Sequence, residues 1–345
     1  MSTVDVVIPC YNYARYLRAC VDSALSQSGV DVRVLVIDDA SSDNTAQVGH
    51  ELAASHNRVE FRRHEANKGH IATYNEGLGM VSSDYMVLLS ADDLLTPGAL
   101  RRATDLMDAH PSVGLVYGHP ITLYGPSLPR ARTRVSSWTT WNGADWIKLM
   151  CRAGKNFINC PEVVMRAAVQ REIGEYLTTL PHSGDMEMWM RAAAVCDVGR
   201  VNGVDQAYYR VHASSMQRTI YAGFLLDLKA RYEAFHSAFE GRAGRLPGAG
   251  FLFETAKRSL ALTAMGHACQ AYDRSRAEHE PIEGYCEFAQ SIFPAVVHTR
   301  QWRALKRYQQ RKPGIFLMTV HRGRARIREA TEYWAGRRWS RTGVR

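Results

Sequence analysis

Residues 85–97 read YMVLLSADDLLTP. An apolar run of strand length ends there in two adjacent aspartates, and Thr96 with Pro97 then opens a helical pattern to about residue 109. A short apolar run bounded by turn-formers predicts a strand buried on both faces. Thr96 suits an N-cap, and proline just inside a helix start suits its fixed φ and missing N–H. The same unit recurs on the N-terminal side. Residues 4–8, VDVVI, form a β-branched run stopped by Pro9, which cannot donate to a ladder. Leu17, Val21, Ala24 and Leu25 follow at helical spacing, with Cys20 beside them. Residues 32–37 predict a second strand closed by Asp38 and Asp39, and Ser41, Ser42 and Asp43 offer N-caps for a helix to about Ala54. Residues 59–62 predict a third strand, 69–81 a helix and 113–117 a fifth strand.

Strands alternating with helices imply right-handed crossovers and a mostly parallel sheet flanked by helices. Ligands of such sheets sit beyond the carboxyl ends of the strands. Tyr11 and Asn12, Asp38 and Asp39, and Asp92 and Asp93 all collect there. Their convergence predicts an active site at that edge. Farther on, residues 120–160 are rich in Trp, Thr, Gly and Pro and predict loops with short elements. Met188, Trp189 and Ala192 form a helical stripe, with Asp185 an N-cap candidate for that helix; residues 208–212 predict a strand running into a loop. After about Thr219 the pattern is helical, with 242–250 as a hinge. The expected organisation is an α/β domain over 1–219, its halves divided near 120, and a helical extension over 220–345.

The chain has 345 residues, 46% hydrophobic and 22% charged, which fits a folded soluble protein. No apolar run approaches the ~20 residues of a membrane span. The opening MSTVDVVIPC predicts no secretory leader. Seven scattered cysteines without a C-x-x-C pair argue against a disulfide framework or zinc knuckle and fit a reducing cytoplasm. Of the net charge of +9, residues 300–345 carry +12, which leaves −3 on the preceding 299. In that tail Trp302, Leu305, Tyr308, Ile327, Ala330, Tyr333 and Trp334 lie among basic residues. Ile327, Ala330 and Trp334 share one helical face flanked by Arg324, Arg326 and Arg328. A basic amphipathic helix suits an anionic membrane surface, which predicts a peripheral place on the inner membrane face. The alternative is a helix packed on the main domain with a solvated arginine face. An acidic body gives nucleic acid little electrostatic footprint.

Asp92 and Asp93 repel one another unless a cation neutralises them, and Mg²⁺ or Mn²⁺ suits their hard oxygens. Such an ion would stabilise a nucleotide diphosphate as a leaving group. The bland alternative is one helix cap and one solvated carboxylate. Asp38 and Asp39 divide likewise between turn-formers and acceptors for a base or ribose. Tyr11 divides between a packed aromatic and a stacking surface. No G-x-x-x-x-G-K-[ST] and no G-x-G-x-x-G follows a strand, which argues against P-loop and dinucleotide chemistry.

In order, VDVVIPCYN, VLVIDDASSDNT, NKGHIATYNEGL, YMVLLSADDLLTPGAL, SGDMEMWMRAA and YYRVHASSM resemble the family 2 glycosyltransferases, inverting enzymes of the GT-A fold. The resemblance is continuous over about residues 4–120 and continues to 216. It implies a nucleotide-sugar donor, a UDP-sugar first, and a glycan or lipid-linked acceptor in cell-surface polysaccharide or glycolipid assembly. It places Pro9, Tyr11 and Asp39 at the nucleobase and ribose, and Lys68 and Asn75 near the nucleotide. It places Asp92 at the ribose and metal, Asp93 as metal ligand, His212 near the diphosphate and metal, and Asp185 as the base that deprotonates the acceptor. Two positions depart from the family pattern: Ser90 stands where an aspartate is frequent, and Gly184 replaces the glutamate before Asp185, with Glu187 two residues on. The chief rival is an inactive nucleotide-sugar-binding or scaffolding module of the same fold. A nucleotidyltransferase is disfavoured because Pro9, Cys10, Tyr11 and Asn12 stand where a glycine- and arginine-rich loop would follow the first strand.

Overall fold

The computed structural model describes residues 1–125, 127–213, 215, 219, 222–310, 334, 337–339, 341 and 342. Ile327, Ala330, Tyr333, Arg324, Arg326 and Arg328 of the amphipathic tail lie outside these described residues, as do Ser214 and Met216 of the last motif. Met1–Trp146 with Ile158–Thr219 form one compact unit, and Ile147–Phe157 with Ile220–Arg345 a second.

The first unit begins with β1 (Thr3–Cys10), α1 (Ala14–Leu25), β2 (Asp31–Asp38), α2 (Thr45–Ser55), β3 (Val59–Arg63), α3 (His70–Gly79) and β4 (Tyr85–Leu88). It continues through β5 (Leu94–Leu95), α4 (Ala99–Ala109), β6 (Val113–Tyr117), β7 (Pro120–Leu123) and β8 (Ser137–Trp141), while α5 (Gly143–Ala153) begins in it and belongs to the second unit from Ile147 onward. A 3₁₀ turn (Cys160–Glu162) precedes β9 (Val164–Arg166), α6 (Ala167–Ile173), α7 (Gly184–Ala193), β10 (Asp197–Asn202) and β11 (Ala207–Arg210). Eight strands form one sheet in the order β3-β2-β1-β4-β9-β6-β10-β8, and β5-β11-β7 form a small second sheet. β1, β2, β3 and β4 pair in parallel, as does β6 with β10. β9 runs antiparallel between β4 and β6, and β8 closes the sheet antiparallel to β10.

The central strands are apolar on both faces, as covered strands must be. Val4, Val6 and Ile8 of β1 join Leu17 and Val21 of α1 and Leu100, Ala103 and Leu106 of α4 in one buried cluster. Val7 points the other way, toward Gly77 of α3. Asp5 is fully buried at the start of β1 and accepts two bonds from Arg33, the amides of Ser82 and Ser83, and the Ser83 hydroxyl. Burial would raise its carboxyl, but these donors hold it below the ordinary value. They tie the amino ends of β1, β2 and β4 together.

Three local expectations change. Thr96 does not cap α4: Gly98, at φ +72°, is the N-cap, while Thr96 hydrogen-bonds Asp205 and Gln206 across the small sheet. Asp43 accepts the Thr45 amide at 3.0 Å, but Asn44 is the residue that precedes α2. Residues 120–160 hold an 11-residue helix, α5, rather than only short elements. Asn142 accepts the Ala144 amide at its start, and Trp146, Ile147, Met150 and Cys151 give it a buried stripe.

The second unit is helical, with α8 (Phe224–Glu240), α9 (Ala249–Asp273), α10 (Ile282–Ile292) and α11 (Arg300–Gln310). α9 buries Ala256, Leu260, Ala261, Ala264, Met265 and Ala268, and such small side chains permit close helix approach. Tyr308 of α11 donates to Asp273 at 2.6 Å and stacks on Tyr272, while Leu305 is fully buried. Trp339 donates its indole N–H to the Phe157 carbonyl at 2.9 Å. No helix among the described residues is long and apolar enough to cross a membrane.

A methyl at Gly77 would stand 2.3 Å from Val7 Cγ1 and 3.1 Å from Ile37 Cδ1. Overpacking of that kind costs about 1–3 kcal/mol. Gly77→Ala is therefore expected to lower the melting temperature by several degrees, at about 2–4 °C per kcal/mol. An unchanged melt would mean that α3 does not press on β1.

Candidate functional site

The strand order reverses beside β1. The chain runs outward through β2 and β3, then returns to place β4 on the other flank of β1. Loops at such a reversal diverge and leave a crevice at the carboxyl ends. The loops after β1 and β2 are locked together there. The Asn12 amide donates to Ser41 Oγ, the Ser42 amide to Asn12 Oδ1, each at 2.8 Å, and the Asp39 amide to the Cys10 carbonyl at 2.9 Å. This holds Asn12 at φ +60° and Ala40 at φ +57°. Asparagine tolerates that left-handed region; for alanine it costs about 1–2 kcal/mol. Tyr11 follows Pro9 and Cys10 at the strand end and is 48% exposed, so its ring offers a face at the crevice.

Asp39 is the anchor of the neighbouring loop. Its Oδ1 accepts the Lys68 amide at 2.7 Å, its Oδ2 the Gly69 amide at 2.9 Å, and its carbonyl the Asn67 side-chain amide at 3.2 Å. The buried His64 ring sets Nδ1 2.7 Å from Asp39 and Nε2 3.0 Å from Glu76. Burial pushes the Asp39 carboxyl up, but the amides and the imidazole more than offset it and hold it low. Lys68 extends its ammonium to Glu76 at 3.1 Å. Asn75 of α3 turns toward Tyr176: its amide donates to the Tyr176 carbonyl at 2.9 Å, and its Oδ1 accepts the Tyr176 N–H at 2.8 Å.

Asp92 and Asp93 lie between β4 and β5, and β11 brings Arg210 to them. The Arg210 N–H donates to Asp93 Oδ1 and its Nε–H to the Asp92 carbonyl, each at 2.7 Å. His212 Nε2 is 2.9 Å from Asp92 Oδ2. Burial first, and then the adjacent Asp92 charge, push the Asp93 carboxyl up. Arg15 and Arg210 set their guanidinium groups 4.5 and 4.6 Å from the Tyr16 ring centre. Tyr13 and Tyr16 pack against His212. Where the family pattern often has an acid, Ser90 gives its carbonyl to the Asp93 amide at 2.9 Å.

Ser183, not Asp185, is the N-cap of α7; Asp185 lies in the first turn. Its Oδ1 accepts the Tyr176 hydroxyl at 2.8 Å. Burial pushes its carboxyl up, against the Tyr176 hydroxyl, His70 and the Cys160 thiol. Glu187, the nearby alternative base, is buried and bound to Arg191 at 2.8 Å. Tyr74 and Tyr209 stand within electrostatic reach of Asp92, Asp93 and Asp185, which joins the two acidic stations. His64, Tyr74, Tyr176, Tyr209 and Arg210 carry much of this geometry and were not singled out by sequence; only Tyr74, Tyr209 and Arg210 lay inside quoted motifs.

Among the described residues, no group of three or more His, Cys, Asp and Glu side chains is arranged to hold a metal. Asp92 Oδ1 and Asp93 Oδ2 make no hydrogen bond among the described residues. Open carboxylate oxygens on two consecutive residues suit a divalent ion whose other ligands are phosphate oxygens and water.

Residues 5–166 match the family described as Glycosyl transferase family 2. The chain is 35% identical to a chondroitin synthase of Escherichia coli over 114 residues, 33% of this chain and 16% of that relative. It thus spans about a sixth of that protein's length. It is similar to S. aureus TarS in complex with UDP-GlcNAc, with a TM-score of 0.56 and 15% identity over 84% of this chain and 91% of that one. It is also similar to the mannosyltransferase PcManGT from Pyrobaculum calidifontis in complex with GDP-Man and Mn²⁺, with a TM-score of 0.56 and 16% identity over 88% and 84%. At such identities the solved structures establish the fold, a GT-A type α/β sheet flanked by helices.

The depressed Asp39 carboxyl gives a linkage test. A group with a lowered folded pKa stabilises above its unfolded value, about 4, and that stability is lost as pH falls through the folded value. Asp39→Asn is expected to melt below wild type at pH 7, with the gap closing as the buffer is taken below about pH 4. A gap that stays constant to about pH 2 would remove Asp39 from the acid response.

Proposed function

From the match of residues 5–166 to glycosyl transferase family 2, we propose that this chain moves a sugar from a nucleotide-diphosphate donor, a UDP-sugar first, to an acceptor hydroxyl with inversion at the anomeric carbon. The observation that carries the reading is the division of labour among the aspartates. Asp39 is engaged by the 67–69 loop, Asp92 and Asp93 each keep one oxygen open, and Asp185 waits on a separate helix with its carboxyl pushed up by burial. One station suits a diphosphate and the other a proton.

In this reading Pro9, Tyr11 and the loop held by Asp39 frame the nucleoside, with the exposed Tyr11 ring against the base. Lys68 and Asn75 border the nucleotide, and Asn75 also holds the Tyr176 backbone. Asp93 and Asp92 would hold Mn²⁺ or Mg²⁺, with His212 orienting Asp92. That ion would stabilise the leaving diphosphate. Asp185 takes the proton of the acceptor hydroxyl as that oxygen attacks the anomeric carbon opposite the departing diphosphate. One displacement inverts the centre, and no covalent enzyme intermediate forms. Glu187 is tied to Arg191, which supports Asp185 as the base.

The acceptor class is a glycan or a lipid-linked saccharide in cell-surface assembly, a reading supported by the polymer synthase among the relatives. The basic residues from Arg300 onward support a peripheral place on an anionic membrane surface, the scattered cysteines support a cytoplasmic chain, and the net −3 of the preceding 299 residues argues against nucleic acid as the partner. The packing of Tyr308 and Trp339 supports the competing use of that segment as a structural part of the helical unit.

Two outcomes are expected. In a thermal melt, one of UDP, GDP, dTDP and CDP stabilises the protein when Mn²⁺ is present, by about 2.7 kcal/mol at a hundredfold excess over Kd. Asp93→Asn removes the metal dependence of that shift. Wild-type protein unmoved by every nucleotide would favour a scaffolding module. Asp185→Asn lowers transfer by about 10²–10⁴-fold while the nucleotide shift persists. Equal loss of both would remove Asp185 as the base.

A further inference from the structure

Asp185 does not hold its own orientation. Tyr176, 9 residues earlier in the chain, donates its hydroxyl to Oδ1 at 2.8 Å. Tyr176 is itself held at three points. One side chain, Asn75, engages both its N–H and its carbonyl, at 2.8 and 2.9 Å. Its ring is buried and meets Tyr74 edge-on, with centroids 5.5 Å apart at 75°. Backbone, ring and hydroxyl are therefore all fixed, and two of the three anchors come from α3, on the donor side of the crevice.

We propose that Tyr176 is a positioning residue for the base. Its hydroxyl fixes one oxygen of Asp185 and turns the other toward the acceptor, and Asn75 sets where that hydroxyl stands. This rests on the reading of Asp185 as the base and deepens it. A second consequence is electrostatic. The groups facing Asp185 are His70 and Tyr74 of α3, Cys160 of the 3₁₀ turn, Tyr176 itself, and Tyr209 of β11. Among these, the Tyr176 hydroxyl favours the ionised carboxylate against the burial that opposes it. A base works only when ionised, so this bond extends activity toward lower pH.

Tyr176→Phe keeps the ring and deletes only the donor. The acidic limb of the kcat–pH profile is expected to move up by about one unit, the worth of one hydrogen bond to a charged group. KM for the nucleotide sugar and the nucleotide-induced melting shift stay as in wild type. Asn75→Ala, which releases the Tyr176 backbone, moves the same limb in the same direction and serves if Tyr176→Phe does not fold. A limb that stays in place in the folded variant, with or without a uniform fall in rate, would overturn the positioning role. A raised KM with the limb unmoved would assign Tyr176 to donor binding and overturn it as well. Asp185→Asn is run beside them. Residual transfer near wild type there would remove the base assignment and this inference with it; a dead Asp185→Asn beside an unmoved limb would remove this inference alone.

Discussion

Gathering carboxylates at one edge of a sheet is electrostatically costly, and much of this structure is organised around meeting that cost. Asp38, Asp39, Asp92 and Asp93 all lie at carboxyl ends of strands and are 8% exposed or less. Water cannot screen them at that depth, so donors must be brought in. The donors come from far along the chain: Lys68 and Gly69 for Asp39, and Arg210 for Asp93. Asp185, on α7, draws on Tyr176 in the same way. The small sheet exists in part to deliver one of them, since β11 pairs with β5 directly after Asp93 and ends at Arg210.

The donors are unequal, and the inequality separates the roles. Asp39 receives two amides and an imidazole and is held low, which makes it a structural anion. Asp93 receives one amide and a like-charged neighbour and is pushed up. A charge left under-compensated by the protein is one that a ligand can compensate. Asp185 lies between these cases, with burial raising it and a single hydroxyl its strongest opposing group.

The strands around β1 were legible because strands covered on both faces must be apolar, and because turn-formers bound each run. The acidic positions were read from their convergence with Tyr11 and Asn12 at one sheet edge, since either aspartate pair alone fits a turn, a helix cap or a solvated carboxylate equally well. Tyr176 was not legible. It sits in an unpatterned loop, and its partner Asn75 is 101 residues away, so no local spacing records the contact. α5 was obscured by Trp, Gly and Asn, residues shared by loops and helix starts. Thr96 and Pro97 looked like a helix opening, but the small sheet claimed Thr96 through Asp205 and Gln206, and the helix began two residues beyond Pro97. For Tyr176 and Thr96 a tertiary partner outweighed the local preference.

The division near residue 120 suggests two halves that evolution or an engineer could recombine, one for the donor and one for the acceptor. The hydrogen bonds argue otherwise. Asn75 with Tyr176, His70 with the Pro181 carbonyl, Asp92 with His212 and Asp93 with Arg210 all cross that line. A chimera that took its first 120 residues from a relative would inherit the strands intact and lose the matched partners of both acidic stations. The seam visible in the sequence is thus not a cassette boundary, because residues on its two sides are matched pair by pair.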